Sequence, residues 1–189
     1  MDCDSTGPVE MKPLNAKFPP RSDVWNTATE YQAESTYANG VKMLISNEHA
    51  DVKMGAKWVG SDGWVWVDRS GFDSSNADLK EVLNRRDEKT GQVVQSARPK
   101  KLGDDVIKVK LYDSPGHQRN FLDCVKSHQP TITPVTTGHH SAIPGHLALI
   151  ALMTNSTIKW DPEKEVITGN EAASKLLNRE YRGPWKLEA

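Results

Sequence analysis

At 189 residues the chain is long enough for a domain with a substantial core, since a domain of this length buries about 70% of its unfolded-chain surface. Lys and Arg total 24 against 25 Asp and Glu, so the net charge of −1 gives no overall attraction to nucleic acid or to an anionic membrane. No apolar run approaches the roughly 18 residues of a membrane span, and the first ten residues have neither the basic nor the apolar segment of a signal peptide.

Residues 1–24 hold Pro8, Pro13, Pro19 and Pro20 and read as an extended lead-in. From Thr29 the pattern alternates through Tyr31, Ala33, Ser35 and Tyr37, reaches Asn39-Gly40, and alternates again through Val41, Met43 and Ile45. That predicts a β-hairpin closed by a type I′ turn, because Asn-Gly accepts positive φ angles. A second hairpin is predicted where Trp58 approaches Ser61-Asp62-Gly63 and Trp64, Val65, Trp66 and Val67 return. Two adjacent hairpins imply an antiparallel sheet. With Trp64 and Trp66 on one side and Val65 and Val67 on the other, both faces are expected to carry apolar weight.

Residues 84–105 form a charged loop whose Arg98, Lys100 and Lys101 read as solvated. Val106, Lys108 and Lys110 alternate with Ile107, Val109 and Leu111, which predicts a further strand region. Ser114 as cap and Pro115 in the first helical position then open a helix with the apolar stripe Phe121, Leu122 and Val125, stopped by Pro130. A second helix is predicted beyond His139 and His140, buried on all sides from Leu147 to Met153. A third has Asn170 as its cap and Leu176 and Leu177 facing inward. Residues 1–189 together read as a single domain.

The two cysteines do not suggest a disulfide framework, and Cys124 reads as a small buried hydrophobe. No Gly-x-Gly occurs, so no strand-to-helix turn of the dinucleotide-binding kind is present in the sequence. Gly-Lys-Ser/Thr, Cys-x-x-Cys, His-Glu-x-x-His and Gly-x-Ser-x-Gly are also missing. No catalytic, cofactor-binding or metal-ligating residue is assigned.

Candidate contacts for a substrate remain. Trp25 offers an indole to stack on a sugar and Asn26 an amide to read hydroxyls, although core packing and capping explain the same pair. His117, His139 and His140 stand at predicted helix starts, where a neutral imidazole is favoured and can bond a hydroxyl; hydrated polar residues at a helix start are the plainer reading. Asp161 with Glu163 or Glu165 suggests a glycosidase pair, but Asp161-Pro162 reads first as a turn after Trp160.

Several strings, in order, resemble the C-terminal domain of the Gfo/Idh/MocA oxidoreductases, in particular their bacterial sugar-associated branch. They run from Ser5-Thr6-Gly7-Pro8-Val9-Glu10 and Trp25-Asn26-Thr27 through Tyr37-Ala38-Asn39-Gly40-Val41, Gly63-Trp64-Val65 and Asn120-Phe121-Leu122-Asp123-Cys124. Gly138-His139, Lys159-Trp160-Asp161-Pro162 and Arg182-Gly183-Pro184-Trp185 complete the series. The resemblance implies an α+β fold, an open and mainly antiparallel sheet with helices packed on one face, and no Rossmann domain in this chain.

It further implies the substrate-binding and oligomerisation domain of an NAD(P)-dependent oxidoreductase acting on a sugar, polyol or related carbohydrate. Trp25, Asn26, His117, His139 and His140 are then expected to line the substrate side. The family's Glu-Lys-Pro and catalytic Asp/His motifs have no matching position, so the chain alone is expected to bind neither NAD nor NADP and to be inactive. A homo-oligomer through the sheet of residues 31–47 and 58–67 is expected, with a cytoplasmic location, or a periplasmic one if a preceding segment carries an export signal. The alternative is a non-catalytic dimerisation or carbohydrate-binding module. Two departures from the family pattern are His140, where relatives often have Arg, and Pro144, inside a helix that usually lacks it; residues 84–105 also look longer than their counterpart.

Overall fold

The computed structural model describes residues 3, 6–20, 24–47, 53–69, 71–78, 80, 88–91, 112, 114 and 116–185. The predicted strand at residues 106–111 and most of the 84–105 loop lie outside them. The chain divides into two compact units, Met1–His49 with Ser114–Ala189, and Ala50–Asp113. All strand pairs among the described residues are antiparallel, so the fold is α+β.

In the first unit, strands β1 (Glu10–Lys17), β2 (Glu30–Thr36), β3 (Lys42–Ser46), β7 (Ile158–Asp161) and β8 (Val166–Thr168) form one sheet in the order β3-β2-β1-β7-β8. The proline-bearing lead-in therefore contains the central strand. It tolerates Pro13 because β7 pairs only with Glu10 and Met11, and because the register with β2 shifts between Pro13 and Asn15. The β2–β3 hairpin forms at Asn39-Gly40 as expected, with a different turn. Gly40 alone has positive φ, its N–H donates to the Tyr37 carbonyl, and the Tyr37 N–H donates to the Val41 carbonyl. That is a three-residue loop ending in a glycine bulge, in place of the type I′ turn.

Register fixes the faces of this sheet. Met11 lies opposite Ser35 and Ile158, and Ala33 opposite Ile45, so these residues share one side with Trp160. Helix α2 (Val135–Thr154) covers that side through Ile143, Leu147, Ala148, Ile150 and Ala151, and packs on β1, β2 and β7. Each fully buried Leu or Ile contributes about 1.5–3 kcal/mol. The expected burial on all sides is corrected: Leu149 and Met153 are 43% and 55% exposed, because α2 has sheet on one side only.

The opposite sheet face is polar. It presents the ion pairs Lys42–Glu34, Lys17–Glu30 and Lys159–Glu10, with Lys12 beside Glu34. Apolar weight on both faces, expected for one sheet of two hairpins, does not extend to this sheet.

Helix α1 (His117–Ser127) starts two residues later than predicted. Gly116 is its N-cap, and Ser114 Oγ accepts from the Gly116 N–H at 3.4 Å without capping the helix itself. Helix α3 (Glu171–Ser174) opens as predicted, with the Asn170 side chain accepting from Ala173 N. Leu177 packs on the core; Leu176 is 41% exposed, which corrects its inward placement. Cys124 is buried, and Cys3 and Cys124 are not joined in a disulfide.

The second unit holds β4 (Ala56–Gly60), β5 (Gly63–Val67) and β6 (Phe72–Ser74) in a separate three-stranded sheet. The two predicted hairpins thus belong to different sheets: β5 finds its second partner in β6, and β3 is an edge strand of the other sheet. Trp66 is the buried anchor, its indole N–H donating to the Met54 carbonyl, with the Lys53 ammonium 3.6 Å from its ring centre. The Lys57 ammonium lies 4.3 Å from the Trp64 ring centre.

Candidate functional site

The residues singled out from the sequence are distributed over three elements. Trp25, 73% exposed, and Asn26 lie in the loop between β1 and β2, and His117 opens α1. His139 and His140 adjoin one another on α2 with ring centres 5.7 Å apart. They sit within the helix body, because α2 begins at Val135 with Pro134 as N-cap. The first-turn N–H groups, which carry the positive end of the helix dipole, belong to residues before them.

His139 has an acidic partner that local sequence did not reveal. Its Nε2 lies 2.7 Å from Glu165 Oε1, across the turn that joins β7 to β8. Asp161 builds that turn: its Oδ1 accepts from the backbone N–H groups of Glu163 and Lys164, as the turn reading predicted. The Lys164 N–H above all, then the Glu163 N–H and the Lys164 ammonium, hold the Asp161 carboxyl below its ordinary value. Glu165 follows with φ 53°, in the left-handed region. Asp161 is thereby engaged in the turn and Glu165 with His139, which favours the turn reading of Asp161-Pro162. The His139–Glu165 pair is half exposed, and a carboxylate on one ring nitrogen orients the imidazole so that the other nitrogen can meet a hydroxyl.

An open depression of about 350 Å³ lies where the irregular stretch of β1 meets the C-terminal end of α2, lined by Pro13, Leu14, Asn15, Ala16, Phe18, Leu152 and Asn155, of which only Pro13 and Leu152 are not exposed. None of the five sequence candidates lines it. Two local irregularities shape it: the register shift that separates Pro13 from Asn15, and the left-handed C-cap Asn155, whose φ of 44° ends α2. Leu14, Phe18 and Leu152 give apolar wall, while Asn15 and Asn155 give two neutral carboxamides. With no ionisable side chain in its lining, the depression suits an uncharged ligand that has both apolar and hydroxyl surface. Asn-Ser-Thr after a buried helix marks a cap in sequence, but nothing local pairs Asn155 with Asn15.

A nicotinamide dinucleotide does not fit these residues. The sequence has no Gly-x-Gly, and the antiparallel pairing of every described strand provides no βαβ crossover to present a helix N-terminus to a pyrophosphate. No group of three or more metal-ligating side chains occurs among the described residues, and no described helix is long and apolar enough to cross a membrane.

Residues 101–187 match the model of the family described as oxidoreductase family, C-terminal alpha/beta domain, the Gfo/Idh/MocA C-terminal domain. The matched stretch contains α1, α2, β7, β8 and α3, and it is completed by β1, which pairs with β7 from outside the match. Neither the curated proteins nor the solved structures gave a match.

Proposed function

We propose that this chain, whose residues 101–187 match the Gfo/Idh/MocA C-terminal alpha/beta domain, is the substrate-binding and oligomerisation domain of an NAD(P)-dependent oxidoreductase. Its substrate is a sugar, polyol or related carbohydrate. The family match carries the oxidoreductase reading, and the uncharged depression lined by Asn15 and Asn155 supports a neutral, hydroxyl-rich ligand. Hydride transfer requires a nicotinamide that another domain or chain must hold, since the described residues offer it no seat. This chain's contribution is recognition and positioning of the substrate.

Titration calorimetry of the chain tests both halves of the reading. Neutral monosaccharides and polyols should bind saturably, and NAD and NADP should not. Saturable micromolar binding of either nucleotide would refute the division of labour. Failure of every neutral polyol in the presence of a functional dinucleotide-binding partner would refute the substrate class.

A further inference from the structure

The Asn155 carboxamide at the depression is carried on a left-handed residue, and the chain on either side of it is tied down. Its own N–H meets the Leu152 carbonyl at 3.4 Å, and the Ser156 N–H donates to the Ala151 carbonyl at 3.1 Å, which closes the end of α2. The flanking side chains also meet: Thr154 Oγ1 and Ser156 Oγ lie 2.8 Å apart. Two hydroxyls in contact across a single residue occupy one side of the turn, so the Asn155 side chain between them is directed to the other, where it lines the depression.

Neighbouring groups fix the proton order of that contact. Thr154 donates its one hydroxyl hydrogen to the Ile150 carbonyl at 2.8 Å, and therefore accepts from Ser156. Asn170 Oδ1 accepts the Ala173 N–H at the start of α3, which turns its Nδ2 to donate to Ser156 Oγ at 3.0 Å. The donors thus run from Asn170 through Ser156 and Thr154 to the Ile150 carbonyl. All three side chains are partly buried, which strengthens the chain of bonds, while Asn155 itself is exposed.

We propose that Ser156, held between Asn170 and Thr154, is a positioning residue that presents the Asn155 carboxamide to the ligand of the depression. The proposal rests on the reading of that depression as the seat of a neutral, hydroxyl-bearing substrate. A carboxamide has distinct donor and acceptor sides, so it selects among hydroxyl arrangements only while its orientation is held. Asn170, remote from the depression in sequence and outside its lining, becomes part of the recognition apparatus through Ser156.

Side-chain amide NMR of the full chain tests the positioning without a ligand. The Asn155 resonance pair, identified by its loss in Asn155→Gly, should relax as a rigid group in the parent and as a freely rotating one in Ser156→Ala, with an unchanged circular dichroism spectrum. Asn170→Asp keeps the cap on Ala173 and lets the bonds run in reverse, from Thr154 through Ser156 to the carboxylate, so it should leave the pair rigid. An Asn155 pair already mobile in the parent, or still rigid in folded Ser156→Ala, would overturn the proposal, as would one released by Asn170→Asp. Calorimetric titration with sorbitol and myo-inositol reads the consequence. Affinity should fall about tenfold in Ser156→Ala, the effect of one neutral hydrogen bond, and at least as far in Asn155→Gly, whose glycine preserves the left-handed turn. Unchanged affinity in folded Ser156→Ala would overturn the proposal. A parent chain that binds neither polyol would refute the substrate reading, and release of a rigid Asn155 by Ser156→Ala would still uphold the positioning.

Discussion

Replacing Gly55 by alanine combines two costs that the structure separates. Gly55 has φ 123°, outside the range an L side chain readily adopts, and a Cβ there would lie 2.4 Å from the Val67 carbonyl oxygen and 2.8 Å from Trp66 Nε1. The backbone conformation alone costs on the order of 1–3 kcal/mol. Relief of the contacts requires the indole to leave the Met54 carbonyl, which strands a buried donor at a further cost of roughly 1–3 kcal/mol. Gly55→Ala should therefore destabilise the second unit by about 2–6 kcal/mol, in a unit small enough that each 1 kcal/mol shifts the melting temperature by roughly 4–8 °C. Gly40→Ala is the matched control: φ is 84°, but nothing lies within 4 Å of the added Cβ. Its cost is limited to backbone strain, on the order of 1 kcal/mol. Urea unfolding followed by tryptophan fluorescence gives both values. Equal losses for the two variants, or a Gly55→Ala protein within 1 kcal/mol of the parent, would refute the packing account of Trp66.

Leu147 is 1% exposed at the centre of the contact between α2 and the sheet, so Leu147→Ala should cost about 2.7–5 kcal/mol. A smaller urea shift would mean that the site collapses around the deletion. For Asp161 the sign follows from its lowered carboxyl: the stabilisation is fully present above the ordinary value of 3.8 and lost as pH falls through the lower folded value. Asp161→Asn should thus differ most from the parent near neutrality and converge with it in acid. An undiminished difference in urea midpoint at pH 2 would contradict that origin.

The chain's own pattern determined the β2–β3 and β4–β5 hairpins, the existence of helices α1, α2 and α3 and the Asn170 cap, because each rests on contacts within a few residues. The Asp161 turn belongs with them, since its carboxylate reaches N–H groups two and three positions ahead. The order of short strings also carried the family resemblance that the match at residues 101–187 supports.

Strand β1 was illegible because its prolines mark irregular chain locally, and only β2 on one side and the short β7 on the other make Pro13 acceptable. The assignment of the hairpins to two sheets depended on which third strand each one met. Glu165 became the partner of His139 across 26 positions, and Asn15 and Asn155 came to line one depression through a register shift and a helix end. In α1 the sequence determined where the apolar stripe lies, while tertiary structure decided that Phe121, Leu122 and Val125 are exposed. Amphipathic spacing places side chains on a common face, and only the packing of the remaining chain decides whether that face meets the core or the solvent.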